Sequence, residues 1–187
     1  MKPSGCELRE NFLEPGMYFY LQAKLPDLST EDLEARIEEA LKFLYLSTEC
    51  SGNIPVTREI DDVWHLLILQ TAEYATLCRR MPGGQFIHHC SRQFLAYFDA
   101  ADNPESGLRN EVRMLGLYVQ NFGQFNPDRI RFWRLADHLV TQVGWSVAEL
   151  NEWLAPPQQA NHEPITSQLQ AGYRPIIDDS RVTARST

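Results

Sequence analysis

The feature that most constrains this chain is the run Val63-Trp64-His65-Leu66-Leu67-Ile68-Leu69 inside a longer stretch, residues 57–80. Ile60, Trp64, Leu67, Ile68, Thr71, Ala75 and Cys78 recur at helical spacing, while Val63, Leu66 and Leu69 fall outside that stripe. A helix that is apolar around most of its circumference belongs in the middle of a bundle rather than on its surface. One helix is therefore expected from Thr57 to about Arg80, stopped by Met81-Pro82-Gly83-Gly84.

Signals on either side extend the same architecture. Ser29-Thr30-Glu31-Asp32 offers an N-cap and an acidic first turn to a helix carrying Leu33, Ile37, Ala40, Leu41 and Leu44, which should end near Ser51-Gly52-Asn53. A short helix is expected at 91–100. Asp102-Asn103-Pro104 opens another, with Leu108, Val112, Leu115, Val119 and Phe122 on one side. Asn126 caps a fifth, with Pro127 in its first position and Asp128 in its first turn. Ser146 with Glu149 forms a capping box for a last helix ending near Leu154. No stretch alternates with a period of two between hairpin turns, so no strand is expected. The fold class is all-α: a single-domain helical bundle over 1–154 with an irregular or short-helical N-terminal arm (residues 1–27). After Ala155 the composition turns polar, with prolines at 156, 157, 164 and 175, and 155–187 is expected to be an extended tail.

Composition removes several functions. At 187 residues and 43% hydrophobic the chain suits one ordinary core without help from disulfides. A net charge of −8, with no run of five like charges, argues against nucleic acid or an anionic membrane as the main partner. Arg129, Arg131 and Arg134 make only a local patch. No stretch of eighteen apolar residues and no apolar leader occurs, and the cysteines at 6, 50, 78 and 90 show no close pairing, so reduced thiols in a cytoplasmic protein are expected. There is no Gly-x-Ser-x-Gly elbow, phosphate loop or dinucleotide fingerprint.

The chemistry-bearing residues gather at the apolar helix. Asp61 stands four residues and Asp62 three residues before His65, so both neighbour it on a helix surface. Polar groups entering so apolar a segment must be paired, hydrated or metal-bound. Phe86-Ile87-His88-His89 follows a turn that can return it along the helix, and because adjacent side chains diverge, one of the two histidines is the natural ligand. The expected metal ligands are Asp62, His65 and either His88 or His89, with Asp61 and Cys90 behind them. Imidazole and carboxylate together suit zinc, iron or manganese. The simpler account of the Asp61–Asp62–His65 triplet is a local hydrogen-bond pairing in the first turns of a helix. His138 beside Asp137 and His162 in the tail are weaker candidates, and Cys78 reads as a small buried hydrophobe.

Asp61-Asp62-Val63-Trp64-His65, then Tyr74 and Cys78, then Phe86-Ile87-His88-His89, resembles the glycine-rich domain protein-like family over residues 30–125. That resemblance implies a helical fold and draws attention to His65, His88 and His89. It brings no reaction, and the glycine-rich region that names the plant members has no counterpart among the 10 glycines here.

Two functions fit these residues. The first is a metal-binding helical protein, with a metal-dependent enzyme acting on a small molecule or a carrier- or peptide-bound substrate as its finer form. The second is a non-catalytic accessory or interaction protein, whose His/Asp cluster is a structural polar network.

Overall fold

The computed structural model describes residues 5–49, 54–91, 104–155 and 182–185. Ser29 caps α3 (Thr30–Ser47) by accepting from the Asp32 N–H at 3.1 Å, and from Glu39 to Leu44 every residue of that helix is buried. It packs against α1 (Gly5–Phe12), α4 (Arg58–Leu69), α6 (Pro104–Phe122) and a 3₁₀ turn (Pro127–Phe132). Its buried set includes Glu39 and Lys42 alongside Ile37, Leu41 and Leu44. The bundle thus centres on α3, and α2 (Pro15–Lys24) closes the side of α4. The class is all-α, and the described part of the N-terminal arm consists of α1 and α2.

The stretch expected to be one helix is two. The chain leaves the helical region at Gln70 (φ −96°, ψ 69°), separating α4 from α5 (Thr71–Arg80). Neither Gly nor Pro marks the break. It is held by burial contacts: Trp64 Nε1 donates to the Tyr74 hydroxyl at 2.8 Å, and that hydroxyl donates to the Ile87 carbonyl at 2.7 Å. On a straight helix, ten residues separate these side chains by about 15 Å. Trp64 and Leu67 are fully buried, whereas His65 and Leu69 are exposed, so α4 is less enclosed than its apolar run implies.

The helix expected from Asn126 also divides. Asn126 accepts from the Asp128 N–H, but the turn stays 3₁₀ and Trp133 is extended (φ −120°, ψ 100°) before α7 (Arg134–Thr141). That conformation sends the Trp133 indole into the core, where it donates to Glu39 Oε2 at 2.8 Å. The Ser146–Glu149 capping box forms as expected and starts α8 (Val147–Leu154). The helix expected at 91–100 falls, beyond Ser91, outside the described residues.

Among the described residues three short strands depart from the expectation of none: β1 (Ile54–Pro55), β2 (His88–Ser91) and β3 (Val182–Arg185), antiparallel in the order β1-β3-β2. None is long enough to display an alternating pattern, and their pairing rests on backbone hydrogen bonds, which side-chain periodicity does not encode. Residues 182–185, in the stretch expected to be tail, form the middle strand. Gly83 and Gly84 adopt positive φ (79° and 62°) in the turn that leads the chain from α5 to β2, a conformation that side-chain-bearing residues rarely take.

Candidate metal centre

The site lies where α4 meets β2. Asp61 and His65 are one turn apart on α4, on the flank of the face that buries Ile60, Trp64 and Leu67. His89 comes from β2, with its ring edge-on to Trp64 (centroids 4.9 Å apart) and 4.3 Å from that of His65. Ligand atoms of Asp61, His65 and His89 all lie within 4.8 Å of one another, so the three could hold one metal ion.

Each residue contributes a distinct chemistry. The Asp61 side chain is 10% exposed, that of His89 17% and that of His65 47%, so the cluster is closed on the carboxylate side and open past His65. His65 Nδ1 lies 2.9 Å from the Asp61 carbonyl oxygen and 3.2 Å from Asp61 Oδ2. With its proton on Nδ1 the ring donates to that carbonyl, and Nε2 is then the nitrogen that offers a lone pair to a ligand. An imidazole oriented through its second nitrogen by a carbonyl or carboxylate is the usual arrangement of a metal-bound histidine.

Across the cluster, Asp61 Oδ1 and His89 Nε2 face each other at 3.6 Å. Both are buried and neither has a hydrogen-bond partner. The gap is too long for a good hydrogen bond. It is close to the separation of about 3.4 Å between two ligands bound tetrahedrally at about 2.1 Å to one zinc ion.

The other expected site residues take different positions. Asp62 is half exposed and lies 3.9 Å from Arg58. His88 points away from the cluster into solvent and packs on Phe86 (centroids 4.9 Å apart). The Cys90 backbone lies in β2 opposite Thr183, and its side chain is outside the described residues, as is His162. Burial pushes the Cys78 thiol pKa up, in keeping with a buried apolar role. His138 sits on α7 beside Asp137, whose carboxyl pKa is raised by burial and then by Glu59. The arginines of the sequence patch are engaged, Arg129 with Glu38, Arg131 with Asp32 and Arg134 with Glu111.

Asp61, expected behind the ligands, converges with His65 and His89, and helix geometry carries a signal for that position. At about 100° per residue, Asp61 falls about 60° from the buried Trp64 and Asp62 about 160° from it. The choice between His88 and His89 carried no such signal.

The fold and cluster define an all-helical protein with one carboxylate and two imidazoles meeting at a helix–ribbon junction. The chain belongs to the UCP032817-like family, whose model matches residues 7–145. No curated protein and no solved structure matches it. The match corrects the resemblance drawn from sequence: nothing supports a glycine-rich domain family. The Trp-His element that carried that resemblance has a general cause, since Trp64 is a core residue beside a boundary residue on an amphipathic helix. Family membership names no reaction.

Proposed function

We propose that this protein binds one divalent transition metal through Asp61, His65 and His89, with coordination positions left open toward solvent past His65. The observation that carries the reading is the pair of buried, partnerless atoms, Asp61 Oδ1 and His89 Nε2, held at a ligand–ligand distance. A closed structural network would join them by a hydrogen bond, because leaving both unmade costs about 1–3 kcal/mol each. Two nitrogens and one oxygen suit zinc, iron or manganese. A metal with open positions there would polarise a substrate oxygen or activate bound water or dioxygen, on a small molecule or on a carrier- or peptide-bound group. The free Cys78 thiol supports a reducing, cytoplasmic setting.

The test is elemental analysis of untagged protein after separate incubation with zinc, ferrous iron and manganese, for wild type and for His65→Ala, His89→Ala and His88→Ala. About one ion per chain is expected in wild type and in His88→Ala, with loss in the other two variants. A wild type that stays metal-free with all three ions defeats the proposal and returns the cluster to a structural role in an accessory protein.

A further inference from the structure

The two halves of the cluster arrive on separate segments, and among the described residues the strand-to-strand link between them runs through a third. β1 passes through Val56 and Thr57 directly into α4, which carries Asp61 and His65, while β2 carries His89. β1 and β2 do not pair with each other; β3 lies between them. Ala184 is the common point, opposite Ile54 on one side and His89 on the other. Thr183 likewise stands opposite Pro55 and Cys90.

We infer that the strand Val182–Arg185 is a positioning element for the metal centre, so that its docking and metal binding are coupled. This rests on the ligand assignment above. The physical argument is one of register. Side chains on a strand alternate faces, so a one-residue slip of β2 would turn His89 away from Asp61 and bring His88 round in its place. A strand of four residues, three of them His or Ser, carries little apolar pattern of its own to fix its register. Tyr74 anchors β2 on one side by donating to the Ile87 carbonyl, two residues before His89. β3 pairs along the whole of β2, from His88 opposite Arg185 to Ser91 opposite Val182, and ties that register to the segment feeding α4. A metal bridging Asp61 to His89 joins the same two segments from the side-chain direction, so each link lowers the ordering cost of the other. The protein would thus bind metal tightly only when this strand, nearly a hundred residues beyond His89 in the chain, is in place.

The test measures zinc affinity by competition with a chromophoric chelator for the full chain and for Ala184→Pro. Proline lacks the N–H that a middle strand must donate. A loss of about tenfold or more is expected, with the helical circular dichroism unchanged. Hydrogen exchange of wild type, with and without zinc, supplies a readout independent of any substitution: zinc should slow exchange at 182–185. Wild-type affinity in a folded Ala184→Pro, or exchange at 182–185 indifferent to bound zinc, overturns the inference while leaving the ligand assignment intact. If Ala184→Pro does not fold, the exchange result alone decides. A wild type that binds no zinc, iron or manganese overturns both together.

Discussion

Of two polar clusters among the described residues, the carboxylate of one is fully bonded and that of the other is not. Around Glu39 both carboxylate oxygens are bonded. Lys42 Nζ donates to Glu39 Oε1 at 2.7 Å and to the Tyr118 hydroxyl at 2.9 Å, and Trp133 Nε1 donates to Glu39 Oε2. Glu39 is fully buried and Lys42 nearly so, a placement tolerable only because the charges meet at close range with their remaining bonds made. Around Asp61 the carboxylate is almost as buried, yet Oδ1 and the imidazole nitrogen facing it have no partner. Both clusters are Glu/Asp with a basic side chain, and burial alone does not separate them. Completeness does: a satisfied network holds helices together, whereas unpartnered convergent lone pairs have room for a water or an ion.

The contrast can be broken most forcefully at Glu39. Glu39→Ala strands the Lys42 charge and the Trp133 N–H, and should cost about 3–5 kcal/mol of stability in chemical denaturation. A loss under 1 kcal/mol would mean that the α3 network is no more structural than the other cluster.

At Asp61 the metal-free protein should respond in the opposite way. Asp61→Asn keeps a side-chain oxygen that can face His65 Nδ1, 3.2 Å away, and removes a buried charge, so the melting temperature without metal should hardly move. What should vanish is metal-dependent stabilisation, worth about 2.7 kcal/mol when free metal stands at 100 times its dissociation constant. A large fall in the metal-free melting temperature would instead make Asp61 a structural partner of His65 and His89. Protons compete with metal for the two imidazoles, so this stabilisation should also shrink as the buffer is acidified.

His88 sharpens the comparison from outside. It shares a strand with His89 but is exposed, so His88→Ala should leave stability within about 0.5 kcal/mol of wild type and metal content unchanged. Loss of metal in His88→Ala would show that β2 binds in the slipped register.

The smallest effect concerns acid. A hydrogen bond from Arg9 and its charge hold the Glu34 carboxyl pKa below its ordinary value against some burial. Burial alone would raise Asp32, but Arg131 and Arg36 more than offset it and leave it lowered. Carboxylates lowered in the folded state add stability above their unfolded pKa values, near 4, and lose it as pH falls through the folded values. The double substitution Asp32→Asn, Glu34→Gln should therefore flatten the fall of melting temperature below about pH 4 without changing metal content. An unchanged acid limb would show that these pairs are too solvated to matter.

The amino-acid sequence by itself determined the class of fold and the outline of the site. Helical spacing at Leu33–Leu44 and the Ser29 and Ser146 caps are local signals, satisfied by residues within one turn, so they survive any tertiary arrangement. His65 was visible for the same reason, as an imidazole one turn from carboxylates on an apolar helix. The tertiary structure decided what depends on distant contacts. Gln70 breaks a stretch of continuous helical periodicity because Trp64 and Tyr74 meet across the bend. Trp133 leaves a capped helix because its indole finds Glu39 on α3. Asp61 rather than Asp62 faces inward because of how α4 rolls onto its neighbours, and His89 rather than His88 faces Asp61 because of a strand register shared with residues 182–185. Periodicity says which residues share a face, but which distant segment covers that face is set by packing and backbone pairing across the chain.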